Sequence, residues 1–591
     1  MASTTSITQD EIIASIPSYL RQFVVKQDYS SYTPQDHAVW RYIMHRNISF
    51  LKDKAHEKYL EGLEKTGITA ERIPDINEMN ACLGKIGWRA VVVDGFVPPA
   101  AFMEFQALKI LVISAEIRNI NNILYTPAPD IVHEAAGHAP IIADSVYSEY
   151  LQLFGRYGMK SVFSSIDYDI YEAIRNLSII KEYPDTTDEE LKKAQKDLEA
   201  KMKANTEPSE SNLLSRMHWW TVEYGLVGKP NDFKIFGAGL LSSVGESKHC
   251  MSDEVKKISL SVDCVNYDYD ITEMQPQLFV AKDFGHLKDV LEEFADDMCF
   301  RKGGLESLKT VKASENVGTY EYSSGLQVSG TIGRIIEQDG EAVYISTEGQ
   351  TQLSFNDNQI SGHGTEYHSD GFSSPAGNLK DIEKPLEHFS DSDLIEQQIL
   401  TGDKAELEFE SGVQVKGIVE KILKENDNIV LISFTDCHVT YKDETLFEPE
   451  WGFYDMAVGK TIVSAYSGSA DKEHFNVYPP KSEKKAIKVT YTEEQRKLFA
   501  HYTKVHEMRS NGVFSVEGLQ NISEILDKSY EKEWLLRWEI YELMIQNGHQ
   551  THALTQKLRS QLNGLKSHNE TYQNVITAGM EMMNEFADAD I

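Results

Sequence analysis

The hydrophobic positions change period twice along the chain. From about residue 10 to 310 they recur mostly at helical spacing. Thr33-Pro34-Gln35-Asp36 reads as an N-cap with proline at the first helical position, and the amphipathic run after it carries Trp40, Tyr42 and Ile43. Leu287, Val290, Leu291, Phe294 and Met298 form one face of a later helix. Between about 163 and 212 the pattern breaks. KEYPDTTDEELKKAQKDLEAKMKANTEPSESN is polar and lysine-rich, and reads as an exposed helical insertion.

From 312 to 487 the period shortens. β-branched runs alternate with Gly, Asn and Asp turns, which predicts a β-rich domain. SGLQVSGTIGRIIEQDGEAVYIS, from Ser324, matches SGVQVKGIVEKILKENDNIVLIS, from Ser411, with Gly325 and Gly412, Val328 and Val415, Gly330 and Gly417, and Ile345 and Ile432 in equal places. In each copy a polar turn (Gln338-Asp339-Gly340, Asn426-Asp427-Asn428) separates two apolar strands. Two related units, read as small barrels, are the simplest account. Residues 361–378, rich in Gly, Ser and His, read as a loop. From 488 to 591 the pattern is helical again. Thr492-Glu493-Glu494-Gln495 is a capping box. Trp534, Trp538, Tyr541 and Ile545, then Leu554, Leu558, Leu562 and Leu565, make stripes that fit a bundle core or a self-association helix. The expected order is a mainly α domain over 1–311, a β-rich domain with an internal repeat over 312–487, and a C-terminal α-helical domain over 488–591.

Composition narrows the classes. At 591 residues the chain exceeds a single core. Hydrophobic residues at 41% and aromatics at 10% suffice to fill several. With 58 basic against 92 acidic residues the net charge is −34, which repels phosphate backbones and anionic membranes, so nucleic acid is not expected as a partner. The cysteines at 82, 250, 264, 299 and 437 are odd in number and form no C-x-x-C pair, which argues against a disulfide framework and for a reducing, cytoplasmic setting. MASTTSITQDEIIASI lacks the basic and apolar regions of a signal peptide. No apolar run reaches roughly 18 residues, so no membrane helix is expected.

The candidate chemistry sits in PDIVHEAAGHAP, Pro129 to Pro140. It misses the H-E-x-x-H signature of zinc proteases by one residue, because Gly137 stands four after His133 and His138 stands five after it. On a regular helix a five-residue step is roughly 500°, leaving the imidazoles about 140° apart. They share a metal only where the backbone departs from regular helix, and Gly137 allows close approach there. The alternative is a pair of satisfied core histidines. HWWTVEYGL, from His218, places Glu223 among apolar residues, where a lone carboxylate needs a partner. Two imidazoles and one carboxylate would make the facial triad of non-haem iron oxygenases.

What links the two stretches is a resemblance. PDIVHEAAGHAP, TVEYG and GAGLLSSVGE, in that order, resemble the pterin-dependent aromatic amino acid hydroxylases. YTPQDHAVW, RIPDINEMN, AEIRNINNILYTPAPD and ITEMQPQLFVAKDF are collinear weaker matches, so the likeness covers roughly the first half of the chain. It implies an aromatic amino acid hydroxylase-like catalytic domain over 1–311, with Fe(II) held by His133, His138 and Glu223. Arg118 matches the arginine that grips the substrate carboxylate. Tyr125, Thr126 and Pro129 match the amino acid site, Trp219 its ring wall, and Gly239 and Ser242 its floor. Val97 and Phe102 match the pterin pocket. Glu134 matches the acid beside pterin and oxygen, and with Ser242 it is assigned to catalysis. Val280 replaces an acid common in tyrosine hydroxylases, which favours an unsubstituted ring.

The resemblance therefore implies a monooxygenase using O2 and a tetrahydropterin as co-substrate, acting on a small-molecule aromatic amino acid. Phenylalanine to tyrosine is the expected reaction. Tyrosine or tryptophan hydroxylation, a catalytically silent metal-binding sensor or scaffold, and a zinc hydrolase are the alternatives. Some features depart from the family. Glu223 follows His138 by about 85 residues, roughly twice the usual gap. Ala135-Ala136 replace a bulkier pair, and Ala128 stands where an acid is frequent, so a supporting salt bridge is expected to be lost. No regulatory domain is expected ahead of the family motifs. The C-terminal helices offer a route to a homo-oligomer.

Overall fold

The structure is a computed structural model; it describes residues 8–94, 97–123, 129–182, 186–270, 273–478, 490–568 and 570–588. The helix Pro34–Leu51 runs through the centre of the first half. Thr33 and Asp36 close a capping box at its start, and Trp40, Tyr42, Met44 and Leu51 are buried along it. Its burial extends to Arg41 and Asn47, so it is packed on several sides rather than along one stripe.

The first half is mainly helical with two small sheets. Val24–Val25, Arg89–Val93 and Ile110–Ser114 form one, antiparallel then parallel. Asp232–Ile235, Leu226–Lys229, Gln277–Ala281 and Lys256–Ser259 lie side by side in the other, which is also mixed. Strands of two to five residues are too short for an alternation to be read. The helix at 284–295 ends earlier than the apolar stripe predicts: Met298 is the N-cap of the next short helix, and is still buried. The polar insertion is an antiparallel pair, Ser165–Glu182 and Asp188–Ala204, with a core of its own from Ala173, Leu177, Ala194 and Leu198.

The middle region consists of two antiparallel sheets. The first contains the hairpin Leu326–Gln338/Glu341–Phe355, flanked by Val317–Tyr322 and then Ile462–Ser467. The second contains Val413–Glu425/Asn428–Tyr441, flanked by Lys404–Glu408. Both hairpin loops have two residues at positive φ, Asp339 and Gly340 at 53° and 85°, Asn426 and Asp427 at 47° and 68°, as a type I′ turn requires. Neither ladder closes on itself among the described residues, so the units are packed sheets rather than small barrels. Val430, Leu431 and Ala457 share a cluster with Tyr320, Val328 and Ile345, which joins the two sheets.

Five helices follow: Glu493–Ser510, Val516–Ser529, Leu535–Gln546, Ala553–Leu565 and Glu570–Asp588. They share one apolar cluster with the first half. Tyr42 lies edge-on to Trp534 and Trp538, centroids 5.2 and 4.9 Å away, and its hydroxyl donates to the Val575 carbonyl. The tryptophan stripe is therefore consumed inside the chain rather than left for self-association. Charges reinforce the contact. Arg41 pairs with Glu71 (2.8 Å), Glu539 (3.0 Å) and Glu542, and Arg509 reaches the same Glu539 and Glu542 at 3.0 Å each. No helix among the described residues is long and apolar enough to cross a membrane.

Candidate metal centre and substrate pocket

Residues 132–138, VHEAAGH, form a π-helix. Its i→i+5 bonding makes five residues close to one turn, so His133 and His138 come to the same side. The local sequence permits the wider turn. Ala135 and Ala136 are fully buried and small, and a Cβ on Gly137 would stand 2.5 Å from the Ala238 carbonyl oxygen. Pro140 then supplies no N–H to continue a regular ladder. Glu223 ends a second π-turn, Trp219–Glu223, closed by the Tyr224 N–H donating to the Trp219 carbonyl at 2.9 Å.

The three side chains converge. His133 Nε2 lies 3.3 Å from one Glu223 oxygen, His138 Nε2 3.3 Å from the other, and the two imidazole nitrogens are 3.2 Å apart. All ligand atoms fall within 4.8 Å of one another. Burial alone would raise the Glu223 pKa, but the two imidazoles beside it hold it well below the usual carboxylate range. The backbone under the ligands is crowded as well: a Cβ on Gly237 or Gly239 would stand 2.4 or 3.1 Å from the Glu223 carbonyl oxygen.

Around the trio, Ser242 Oγ meets His133 Nδ1 at 3.1 Å. The Glu134 carboxylate lies 3.9 Å from His138 Nε2, and burial pushes its pKa up to about 8. Arg118 donates from Nε and Nη2 to both oxygens of Asp130 at 2.8 Å each, and Asp130 also accepts from the Arg118 backbone N–H at 2.9 Å and that of His133 at 3.1 Å. Asp130 is a residue of the quoted PDIVHEAAGHAP stretch whose role the sequence reading passed over. Trp219 stacks on Tyr269 (4.3 Å, 12°) and on Tyr224 (4.8 Å, 30°), and its buried Nε1 has no partner among the described residues.

His218 was also missed. Its Nδ1 lies 3.9 Å from Glu223, burial drives its pKa down to about 4, and it contacts Phe102 and Phe154 edge-on. Phe102 and Val97 both pack against the peripheral cluster of Ile12, Leu20 and Phe105, and Phe102 also reaches the centre through His218. Val280 is buried in the strand Gln277–Ala281 opposite Leu226. Pro129 is exposed. Tyr125, Thr126 and Ala128 lie outside the described residues.

Residues 20–171 and 187–302 match the profile of the biopterin-dependent aromatic amino acid hydroxylases. Over these residues the chain is similar to that family. The phenylalanine-4-hydroxylase of Chromobacterium violaceum is 28% identical over 271 residues, 45% of this chain and 76% of that protein. The Pseudomonas aeruginosa enzyme of the same name is 27% identical over 278 residues, 46% and 89% respectively. A solved structure of the C. violaceum enzyme with oxidised Fe(III) overlaps 47% of this chain and 84% of its own, at 27% identity and a TM-score of 0.37.

Proposed function

We propose that the chain is a non-haem Fe(II), tetrahydropterin-dependent monooxygenase that hydroxylates the ring of an aromatic amino acid, converting phenylalanine to tyrosine. The observation that carries this reading is the convergence of His133, His138 and Glu223 inside a domain of a biopterin-dependent family. The donor set fits the metal: two imidazoles and one carboxylate suit Fe(II) and leave other coordination positions free. Iron bound there would activate O2 with electrons from the pterin.

The chain's own residues do the rest. Ser242 fixes the His133 ring through Nδ1. Asp130 holds the Arg118 guanidinium in place before substrate arrives, so the remaining N–H groups meet the amino acid carboxylate with little further ordering cost. The Trp219–Tyr269 stack offers an apolar wall for the substrate ring. Phe102 offers a ring for the pterin, and Glu134 an acid near it. His138 is buried and His133 and Glu223 are only partly exposed, which limits the water reaching the reacting atoms. The named relatives act on phenylalanine, which supports that substrate over tyrosine and tryptophan.

The test is anaerobic Fe(II) loading, then phenylalanine, tyrosine and tryptophan offered together with a synthetic tetrahydropterin and oxygen. Tyrosine formed from phenylalanine in step with pterin oxidation is expected. Oxygen uptake with none of the three overturns the reading, and hydroxylated tyrosine or tryptophan as main product moves the substrate.

A further inference from the structure

The loop after the strand Glu341–Phe355 holds a second pair of histidines five residues apart, His363 and His368. The strand pins both: Leu353 N–H donates to the His363 carbonyl and Thr351 N–H to the His368 carbonyl, each at 3.0 Å. His363 Nδ1 faces His368 Nε2 at 3.2 Å. Asp455 arrives from the strand Tyr454–Ala457, which pairs with the other sheet, and its Oδ2 lies 3.8 Å from His363 Nδ1. The ligand atoms of the three fall within 4.8 Å of one another, and the residues are 7%, 7% and 5% exposed.

We propose that His363, His368 and Asp455 form a second metal site, for a divalent first-row transition ion, independent of the centre at His133, His138 and Glu223. Three features carry it. Two ring nitrogens aimed at each other can share one hydrogen bond at most, whereas a cation satisfies both lone pairs. No lysine or arginine nitrogen is within ion-pair distance of Asp455 among the described residues, so this buried carboxylate faces imidazole and hydroxyl groups rather than a fixed cation. The Ser433 hydroxyl donates to Asp455 Oδ1, an outer contact that orients a ligating carboxylate and leaves Oδ2 free.

Two nitrogens and one carboxylate select Zn(II), Fe(II) or Co(II) over Mg(II) or Ca(II), which prefer oxygen. Three protein ligands leave the ion open. His368 and Asp455 line a cavity of about 810 Å³ that Tyr367, Phe372 and Tyr454 also line, so the open side has room for a small ligand. Because Asp455 sits in a strand of the second sheet and the two histidines in a loop bonded to the first, the ion would also tie the two sheets together.

The test uses the full chain, stripped of metal with a chelator and titrated anaerobically with Co(II), with bound metal counted and visible absorption recorded. Wild type is expected to bind two ions per chain. His363→Ala/His368→Ala and the near-isosteric Asp455→Asn should each bind one, and Glu223→Ala should keep the ion that Asp455→Asn loses. A wild-type count of one, or equal counts in wild type and Asp455→Asn, overturns the proposal. Should the double alanine variant not fold, Asp455→Asn alone decides. Loss of hydroxylation with both ions bound would count against the proposed activity and leave this site standing.

Discussion

Ser242 Oγ stands 3.1 Å from His133 Nδ1, which leaves Nε2 of that ring facing Glu223. An alanine at 242 frees the ring to rotate. Ser242→Ala is expected to weaken Fe(II) affinity by about 10- to 100-fold, the usual effect of removing such an outer contact. Metal titration checks it, and unchanged affinity would remove Ser242 from the positioning role.

Gly137 is held against the Ala238 carbonyl, where a Cβ would come within 2.5 Å of the oxygen. Gly137→Ala must push the Gly237–Ser242 stretch away from the π-helix. The expected result is loss of the ion held by His133, His138 and Glu223 with the β-rich region still folded, seen as near-normal β-sheet circular dichroism beside a metal count one lower than wild type.

Arg118 and Asp130 form a buried pair, and breaking such a pair costs about 3–5 kcal/mol. Asp130→Asn should lower stability and also raise KM for phenylalanine, because the guanidinium loses its support. Arg118→Lys keeps a charge but cannot bridge both oxygens, so it should raise KM by more than tenfold, about 1.4 kcal/mol, with a smaller change in the pterin KM. Steady-state kinetics with each co-substrate varied in turn separates the two.

The Trp219–Tyr269 stack sets the width of the ring site in this reading. Trp219→Phe should raise the kcat/KM ratio of tryptophan to phenylalanine by about tenfold, within the range that one altered apolar contact provides. An unchanged ratio would mean the wall lies elsewhere.

Glu539 is buried between Arg41 and Arg509. Burial alone would raise its pKa, but the two guanidinium groups take it below the ordinary glutamate value. A depressed folded pKa gives stability that is present in full above the unfolded value, about 4.3, and lost as pH falls through the folded one. Denaturant midpoints should therefore fall steeply below about pH 4. Glu539→Gln should flatten that dependence and lower stability at pH 7.

The sequence made the metal trio legible through three short stretches, although helix geometry argued against His133 and His138 meeting. The π-turn that resolves this has no period of its own; it follows from Ala135, Ala136 and Gly137 being small enough for the wide turn to pack. The Arg118–Asp130 clamp was hidden because nothing in residue spacing pairs an arginine with an acid 12 positions on. The two small mixed sheets escaped because strands of two to five residues are too short to show a period. Trp534 and Trp538 were read as a stripe, but only the fold reveals that its partner is Tyr42, some five hundred residues earlier.

The helix Pro34–Leu51 touches the tail through Arg41 and Tyr42, and five residues further on Asn47 donates to the Leu241 carbonyl at 3.1 Å, next to Ser242. One rigid rod thus spans from the far end of the polypeptide to the floor beneath the histidines. A small shift of the tail has a straight route to His133, and cutting the tail away would strip that rod of a wall.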